Sequence, residues 1–291
     1  MSIVKKFFFR LKRVHYGFET KRHFIYSCSA KILRVLLNAD GGQKNRLLTA
    51  QREGDTYCFN EVRLPILKPG EKYQGRILNI KDEDILCSYL YFNDDYSEEI
   101  FDFCEPVLPE GLYGLVNDKV NVTVKPGDVV IDAGSCCGSF SAYASVKGAA
   151  AVYAFEPVAE NFEYLEKTAG LNKNIFPVNK GLSNESTKRD IFIDPEHYSG
   201  SSFLEELKPN LPPTQVETIR LDDFVRDNNL PRVDFIKCDI EGFERHMLEG
   251  AQETLKRFAP KLALCTYHLP DDPKVMASLI LKANPRYNIV Q

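Results

Sequence analysis

The sequence predicts a doubly wound α/β domain built on a parallel sheet, and three observations predict it. From about residue 123 onward, short continuous apolar segments alternate with amphipathic helical ones, the pattern of strands that are buried on both faces. A glycine-bearing turn, Asp132-Ala-Gly134-Ser-Cys-Cys-Gly138, follows the first of these strands. An acidic residue, Glu156, closes the second, 24 residues beyond Asp132.

The elements follow in order. Strands are expected at 129–132, 151–155 and 175–179, separated by helices at 139–147 and 159–169. Short strands at 191–193 and 216–219 bracket an insertion. A helix at 222–228 leads to a strand at 233–238, a helix at 245–258 and a strand at 261–267. A helix at 273–283 and a last strand at 287–290 complete the domain, which spans 123–291. Residues 1–122 read as an α+β prefix. Helical spacing of apolar residues covers 3–18 and 23–38, and Asp40-Gly41-Gly42 supplies a stop. A β-type pattern runs from 57 to 103, with a hairpin expected between 76–80 and 85–92.

Composition narrows the class. With 44% hydrophobic and 27% charged residues, the chain is globular rather than disordered. No apolar run approaches the roughly 20 residues of a membrane-spanning helix. The stretch Phe7-Phe8-Phe9 is cut by Arg10, so no signal-peptide core follows. Eight cysteines in 291 residues are too dilute for a disulfide scaffold, and a cytoplasmic protein with reduced thiols is expected. Charge is uneven: residues 1–46 carry +9 and the remainder −13. The basic arm reads as a helix packed on the body, with peripheral contact of residues 1–38 to an anionic membrane as the alternative. Nucleic acid is not an expected partner, because the chain as a whole is acidic.

The strand ends carry the candidate chemistry. In a sheet of this kind the ligand lies at the carboxyl ends of the strands, where strand order reverses. Two glycines, Gly134 and Gly138, let the backbone turn and approach a ligand closely. Cys136 stands where a dinucleotide fingerprint needs its second glycine. A carboxylate at the position of Glu156 suits the vicinal hydroxyls of a ribose. A ribose site without a pyrophosphate signature points to S-adenosylmethionine rather than NAD. Capping of a helix is the plainer reading of the same glutamate.

Val129–Ser141, Ala154-Phe-Glu-Pro157 with Asn161, Lys180-Gly-Leu-Ser183, Phe235-Ile-Lys-Cys-Asp-Ile-Glu-Gly-Phe-Glu244 and Leu264-Cys-Thr-Tyr-His-Leu-Pro-Asp-Asp272 together resemble the FkbM-type methyltransferases. The resemblance covers roughly 122–291. It implies a class I, Rossmann-like, S-adenosylmethionine-dependent fold and O-methylation, often of a hydroxyl on a sugar or glycoconjugate. Asp132, Gly134, Ser135 and Gly138 then match the cofactor loop, Glu156 the ribose acid, and Leu182 the turn bordering the adenine. The family usually has Ala-Asn where this chain has Ser135-Cys136. The final antiparallel strand of the usual seven-stranded sheet has no residues left to form it, unless 57–103 substitutes.

A hydroxyl acceptor benefits from a general base or a bound cation. Asp239 and Glu241 follow the fourth main strand and His268 follows the fifth. Asp239 is expected to orient acceptor or cofactor, and His268 to accept or relay the proton, with Glu241 beside them. Helix capping is the plainer reading of Glu241 and Glu244. No metal is assigned, and a Mg²⁺ ion shared by Asp239, Glu241 and His268 is the alternative. Two further functions compete with the methyltransferase: an inactive cofactor-binding or partner module, and an NAD-dependent oxidoreductase.

Overall fold

The computed structural model describes residues 51–53, 56–59, 62–65, 72–73, 76–77, 122–194 and 199–289. The helices expected at 3–18 and 23–38, the basic arm and most of the acidic segment lie outside the described residues.

Five short strands precede the main body: β1 (Gln51–Glu53), β2 (Thr56–Phe59), β3 (Val62–Pro65), β4 (Lys72–Tyr73) and β5 (Arg76–Ile77). The first three form an antiparallel meander, and β4 pairs with β5. Arg76–Ile77 thus takes Lys72–Tyr73 as its partner, not the 85–92 segment that the sequence suggested.

The main sheet contains β6 (Val129–Ala133), β7 (Ala151–Phe155), β8 (Ile175–Val178), β12 (Phe235–Cys238) and β13 (Lys261–Leu264), all parallel, in the order β13-β12-β6-β7-β8. Helices α1 (Ser139–Val146) and α2 (Ala159–Leu171) carry the chain outward from β6 to β8. The chain then returns to the other side of β6, so strand order reverses between β6 and β12. That is the place where such sheets open a crevice. Both central strands are wholly apolar at their cores: Val130, Ile131, Phe235 and Ile236 are each fully buried.

Between β8 and β12 lies a second sheet, β10-β11-β9, built from β9 (Gly181–Leu182), β10 (Lys188–Phe192) and β11 (Pro213–Ile219). The two short strands expected around an insertion are therefore present, longer than anticipated and antiparallel to each other. After β11, α3 (Leu221–Asp227) leads back into the main sheet.

Two expectations need correction. The single helix anticipated over 245–258 is two, α4 (Glu244–Glu249) and α5 (Gln252–Phe258). Gly250 sits against the Ser183 carbonyl so closely that a Cβ would overlap it. Asp222 of α3 supplies the cap that starts the second helix, accepting from Glu253 N at 3.1 Å, Thr254 N at 2.8 Å and Thr254 Oγ1 at 2.7 Å. A side chain more than 25 residues away thus replaces local helix continuity with an N-cap. The last strand expected at 287–290 is not formed over 287–289. After α6 (Asp272–Ala283), Tyr287 N donates to Asn284 O at 3.3 Å and the Tyr287 hydroxyl donates to Pro260 O at 2.9 Å. These bonds fold the segment under the start of β13 instead of along its edge.

Among the described residues β13 is an edge of the main sheet. The described part of 57–103 does not supply a final antiparallel strand. The β1–β3 meander forms a separate sheet, and β3 packs over α1 and α2, where Asn172 Nδ2 donates to Arg63 O at 3.2 Å.

Gly134 ties the two central strands together. Its φ is +73°, and a Cβ there would run into the Asp239 carbonyl oxygen. Gly134→Ala is expected to cost more than about 1 kcal/mol of stability, because it combines a left-handed backbone with a steric overlap. Urea denaturation of the two proteins checks this.

Candidate active site

The first wall of the crevice is the loop after β6. Gly134 and Ser135 donate their N–H groups to Phe155 O at 3.1 and 2.9 Å, and Cys136 N donates to Glu156 Oε2 at 2.9 Å. Cys136, at φ +50°, takes the left-handed backbone that glycine favours. Gly138, at φ +83°, starts α1 and packs against Leu165 and Thr168, with no room for a Cβ.

Beneath this loop lies a buried ion pair that sequence reasoning missed. Lys237, near the end of β12, is 3% exposed and Asp132 is fully buried. Lys237 Nζ lies 3.2 Å from Asp132 Oδ1 and donates to Ala133 O at 3.1 Å and Gly134 O at 2.6 Å. Ser141 Oγ also donates to Asp132 Oδ2, at 2.6 Å. Burial alone would lower the lysine pKa, but the charges of Asp132 and Asp239 hold it above its ordinary value. Asp132 therefore sits under the loop after β6 as its foundation. Ser135 is likewise turned inward, its hydroxyl donating to Asp132 O at 2.8 Å. The signal for Lys237 in the sequence is one charged residue inside an otherwise apolar strand.

Glu156 ends β7 at the same level. It is 4% exposed. Its Oε1 accepts from Val158 N at 2.8 Å, and its Oε2 from Cys136 N. Burial pushes its carboxyl up to about 7, against the pull of these N–H donors and of Lys237. With Asn161 as a third donor, the carboxylate keeps one acceptor position to spare. That position suits a hydroxyl of a ligand at this point. Leu182, in β9, is packed into the core with Phe155 and Phe224 rather than standing in an open turn.

The opposite wall is built from β12 and β13, whose parallel register pairs Cys238 with Leu264. The loops that follow bring Asp239, Glu241 and His268 together. His268 Nε2 lies 3.5 Å from Glu241 Oε2 and 3.8 Å from Asp239 Oδ1, and its Nδ1 lies 3.2 Å from Glu244 Oε1. The imidazole is 7% exposed, while Asp239 and Glu241 are 24% and 31% exposed. The histidine thus stands behind the two acids that face the crevice. Burial alone would lower its pKa, but Glu241 and Glu244 push it up to about 10.

Three supports fix this wall. Glu244, the first residue of α4, accepts from Ile240 N at 2.8 Å, so it ties the loop after β12 to the helix and faces His268 at once. Ser202, from the insertion, donates its hydroxyl to the Glu241 carbonyl at 2.6 Å. Glu241 itself is held at φ +54°, a conformation that costs energy outside glycine and gathers at functional sites. Arg245 links α4 to the start of α6 through Asp271 at 2.8 Å and Asp272 at 3.0 Å. Asp271 and Asp272 therefore stand at the start of α6, just before Pro273.

A parallel sheet that reverses between β6 and β12, with an acid at the end of β7 and a polar cluster across the crevice, defines a Rossmann-like nucleotide-binding fold of the methyltransferase type. Residues 132–287 match the methyltransferase FkbM domain, and the chain belongs to that family. It is 29% identical over 157 residues to the hexuronic acid methyltransferase AglP of Haloferax volcanii, covering 54% of this chain and 62% of that protein. It is 25% identical over 162 residues to the 31-O-demethyl-FK506 methyltransferase FkbM of Streptomyces tacrolimicus, covering 45% of this chain and 62% of that one. The chain thus spans somewhat under two thirds of the length of these curated relatives. A solved methyltransferase FkbM from Methylobacillus flagellatus aligns with a TM-score of 0.44 at 19% identity, covering 74% of this chain and 58% of that one. Among the described residues no helix is long and apolar enough to cross a membrane.

Proposed function

We propose that the chain is an S-adenosylmethionine-dependent O-methyltransferase whose acceptor is a hydroxyl of a sugar or glycoconjugate. The observation that carries the reading is the placement of Glu156, at the end of β7, and of the Asp239, Glu241 and His268 cluster, beyond β12 and β13, at the carboxyl ends of strands on either side of β6. The carbohydrate acceptor is supported by the likeness to a hexuronic acid methyltransferase.

S-adenosylmethionine, when bound, supplies a methyl group on a sulfonium, which departs as a neutral thioether. Glu156 accepts a ribose hydroxyl. Gly134 and Gly138 let the loop after β6 pack closely on Asp239 and on α2, which sets the path of the loop that would border the ligand. Asp239 and Glu241 would hold the acceptor hydroxyl toward the bound cofactor, where alignment supplies much of the rate, and would take up the proton that the hydroxyl loses. His268 acts through these two carboxylates, holding their oxygens at the crevice wall.

The first test is calorimetric titration of the purified chain with S-adenosylhomocysteine, with NAD in parallel, followed by mass spectrometry of uronic acid glycosides incubated with S-adenosylmethionine. Binding of S-adenosylhomocysteine alone, with a gain of one methyl on the glycoside, is the expected result. Binding of NAD alone overturns the reading. Asp239→Asn is expected to lower kcat at least tenfold while leaving S-adenosylhomocysteine affinity within about threefold, since it touches the acceptor side. Equal losses in both would remove Asp239 from that side.

A further inference from the structure

We propose that Asp239, Glu241 and His268 form a binding site for one divalent cation of the Mg²⁺ or Mn²⁺ class. One ligand atom from each residue lies within 4.8 Å of the other two. Adjacent ligands of an octahedral ion with bonds near 2.1 Å stand about 3 Å apart. The His268 Nε2 separations of 3.5 and 3.8 Å from the two carboxylates need only a small inward closure to reach that spacing.

The histidine is the independent pointer to a ligand. Its side chain is more than nine-tenths buried, its Nε2 makes no hydrogen bond, and that nitrogen is aimed between the two acids. The carboxylates at 3.5 and 3.8 Å act on that nitrogen as charges, whereas an ion held between them would bind it directly. Its other nitrogen faces Glu244, which is fully buried and anchored by Ile240 N. A carboxylate behind a histidine is the arrangement that orients a metal-binding imidazole and raises its basicity.

The remaining geometry is that of a prepared site. Ser202 holds the left-handed turn at Glu241, which aims the glutamate at the cluster. Two carboxylates and one imidazole suit a hard or borderline ion, and three protein ligands leave coordination positions open to water or a hydroxyl. The part-exposed acids put those positions on the crevice side. The role of the ion rests on the methyltransferase reading. An acceptor hydroxyl bound to it loses its proton more readily: the O–H bond breaks, the proton passes to solvent water, and the oxygen lone pair forms the new O–CH₃ bond as the C–S bond breaks onto sulfur.

The test uses the full chain stripped with chelator and titrated with Mn²⁺ alone, read by the electron spin resonance signal of the free ion. One equivalent is expected to bind, and pulsed measurements on that ion are expected to show coupling to an imidazole ¹⁴N, a readout that needs no variant. Glu241→Gln is expected to weaken Mn²⁺ binding at least tenfold with the circular dichroism spectrum unchanged. Absence of one-equivalent binding, or of the nitrogen coupling, overturns the proposal. S-adenosylhomocysteine titrated into the stripped protein separates the two readings. Cofactor binding without Mn²⁺ binding sinks the cation site alone, whereas Mn²⁺ binding without cofactor binding sinks the methyltransferase reading and leaves the site.

Discussion

Glu156→Gln is expected to remove a loss of stability that the chain otherwise suffers as pH rises from 4.5 to 8, while weakening its hold on S-adenosylhomocysteine. The stability half follows from linkage. The Glu156 carboxyl is raised from its ordinary 4.5 to about 7 by burial, so the folded state favours the protonated form. Its contribution is fully present below pH 4.5 and is lost as pH rises through about 7. Those 2.5 units correspond to at most about 3 kcal/mol. A glutamine never ionises, so the variant is expected to lose up to that amount less than the parent as pH rises from 4.5 to 8, while its NH₂ group, turned toward one of the two backbone N–H donors, lowers its stability at every pH. Urea denaturation of both proteins across this range measures the difference directly.

The binding half has the opposite sign. An ionised carboxylate accepting hydroxyl donors contributes on the order of 1.5–3 kcal/mol per bond, and an amide offers only one acceptor oxygen. The variant is expected to bind S-adenosylhomocysteine roughly 10–100-fold more weakly at pH 8. The parent protein's affinity is expected to fall toward that of the variant as pH drops below 7. Equal affinities at pH 8 would remove Glu156 from the ribose site, whatever the stability data show.

The second large effect concerns Lys237. Lys237→Met preserves length and apolar volume but leaves Asp132 fully buried without its cation, and leaves the carbonyls of Ala133 and Gly134 without their shared donor. Breaking a buried pair from one side typically costs about 3–5 kcal/mol. A loss in that range is expected in urea denaturation. The Asp132→Asn, Lys237→Met double variant is expected to recover part of it, since the orphaned charge is gone. A single-variant loss below about 1 kcal/mol would show that Asp132 finds another partner. Because the pair sits directly beneath Gly134, cofactor affinity is expected to fall as well.

Much of this site was legible before the structure. Gly134, Gly138 and Glu156 announce themselves by position relative to strand ends, because strand and turn signals are local and their spacing follows from the fold. The gathering of Asp239, Glu241 and His268 was anticipated from two strand ends sharing one crevice. What escaped was support. Ser202 acts from within an insertion whose path no periodicity reveals, and Asp222 caps a helix 30 residues further on. The final segment misled because Tyr287, Ile289 and their neighbours read as a strand by residue type, while a single hydroxyl bond to Pro260 settles them elsewhere.

The sequence by itself determined the alternation of strands and helices, the turn after β6 and the acid after β7, since each depends on residues close together in the chain. Only the tertiary structure decided that Lys237 neutralises Asp132 across 105 positions, and that Glu244 stands behind His268 to aim its free nitrogen at two carboxylates. The physical reason is the same in both cases. Burying a charge or a polar nitrogen is tolerated only beside a partner, and which residue becomes that partner depends on strand order and register, which no local pattern encodes.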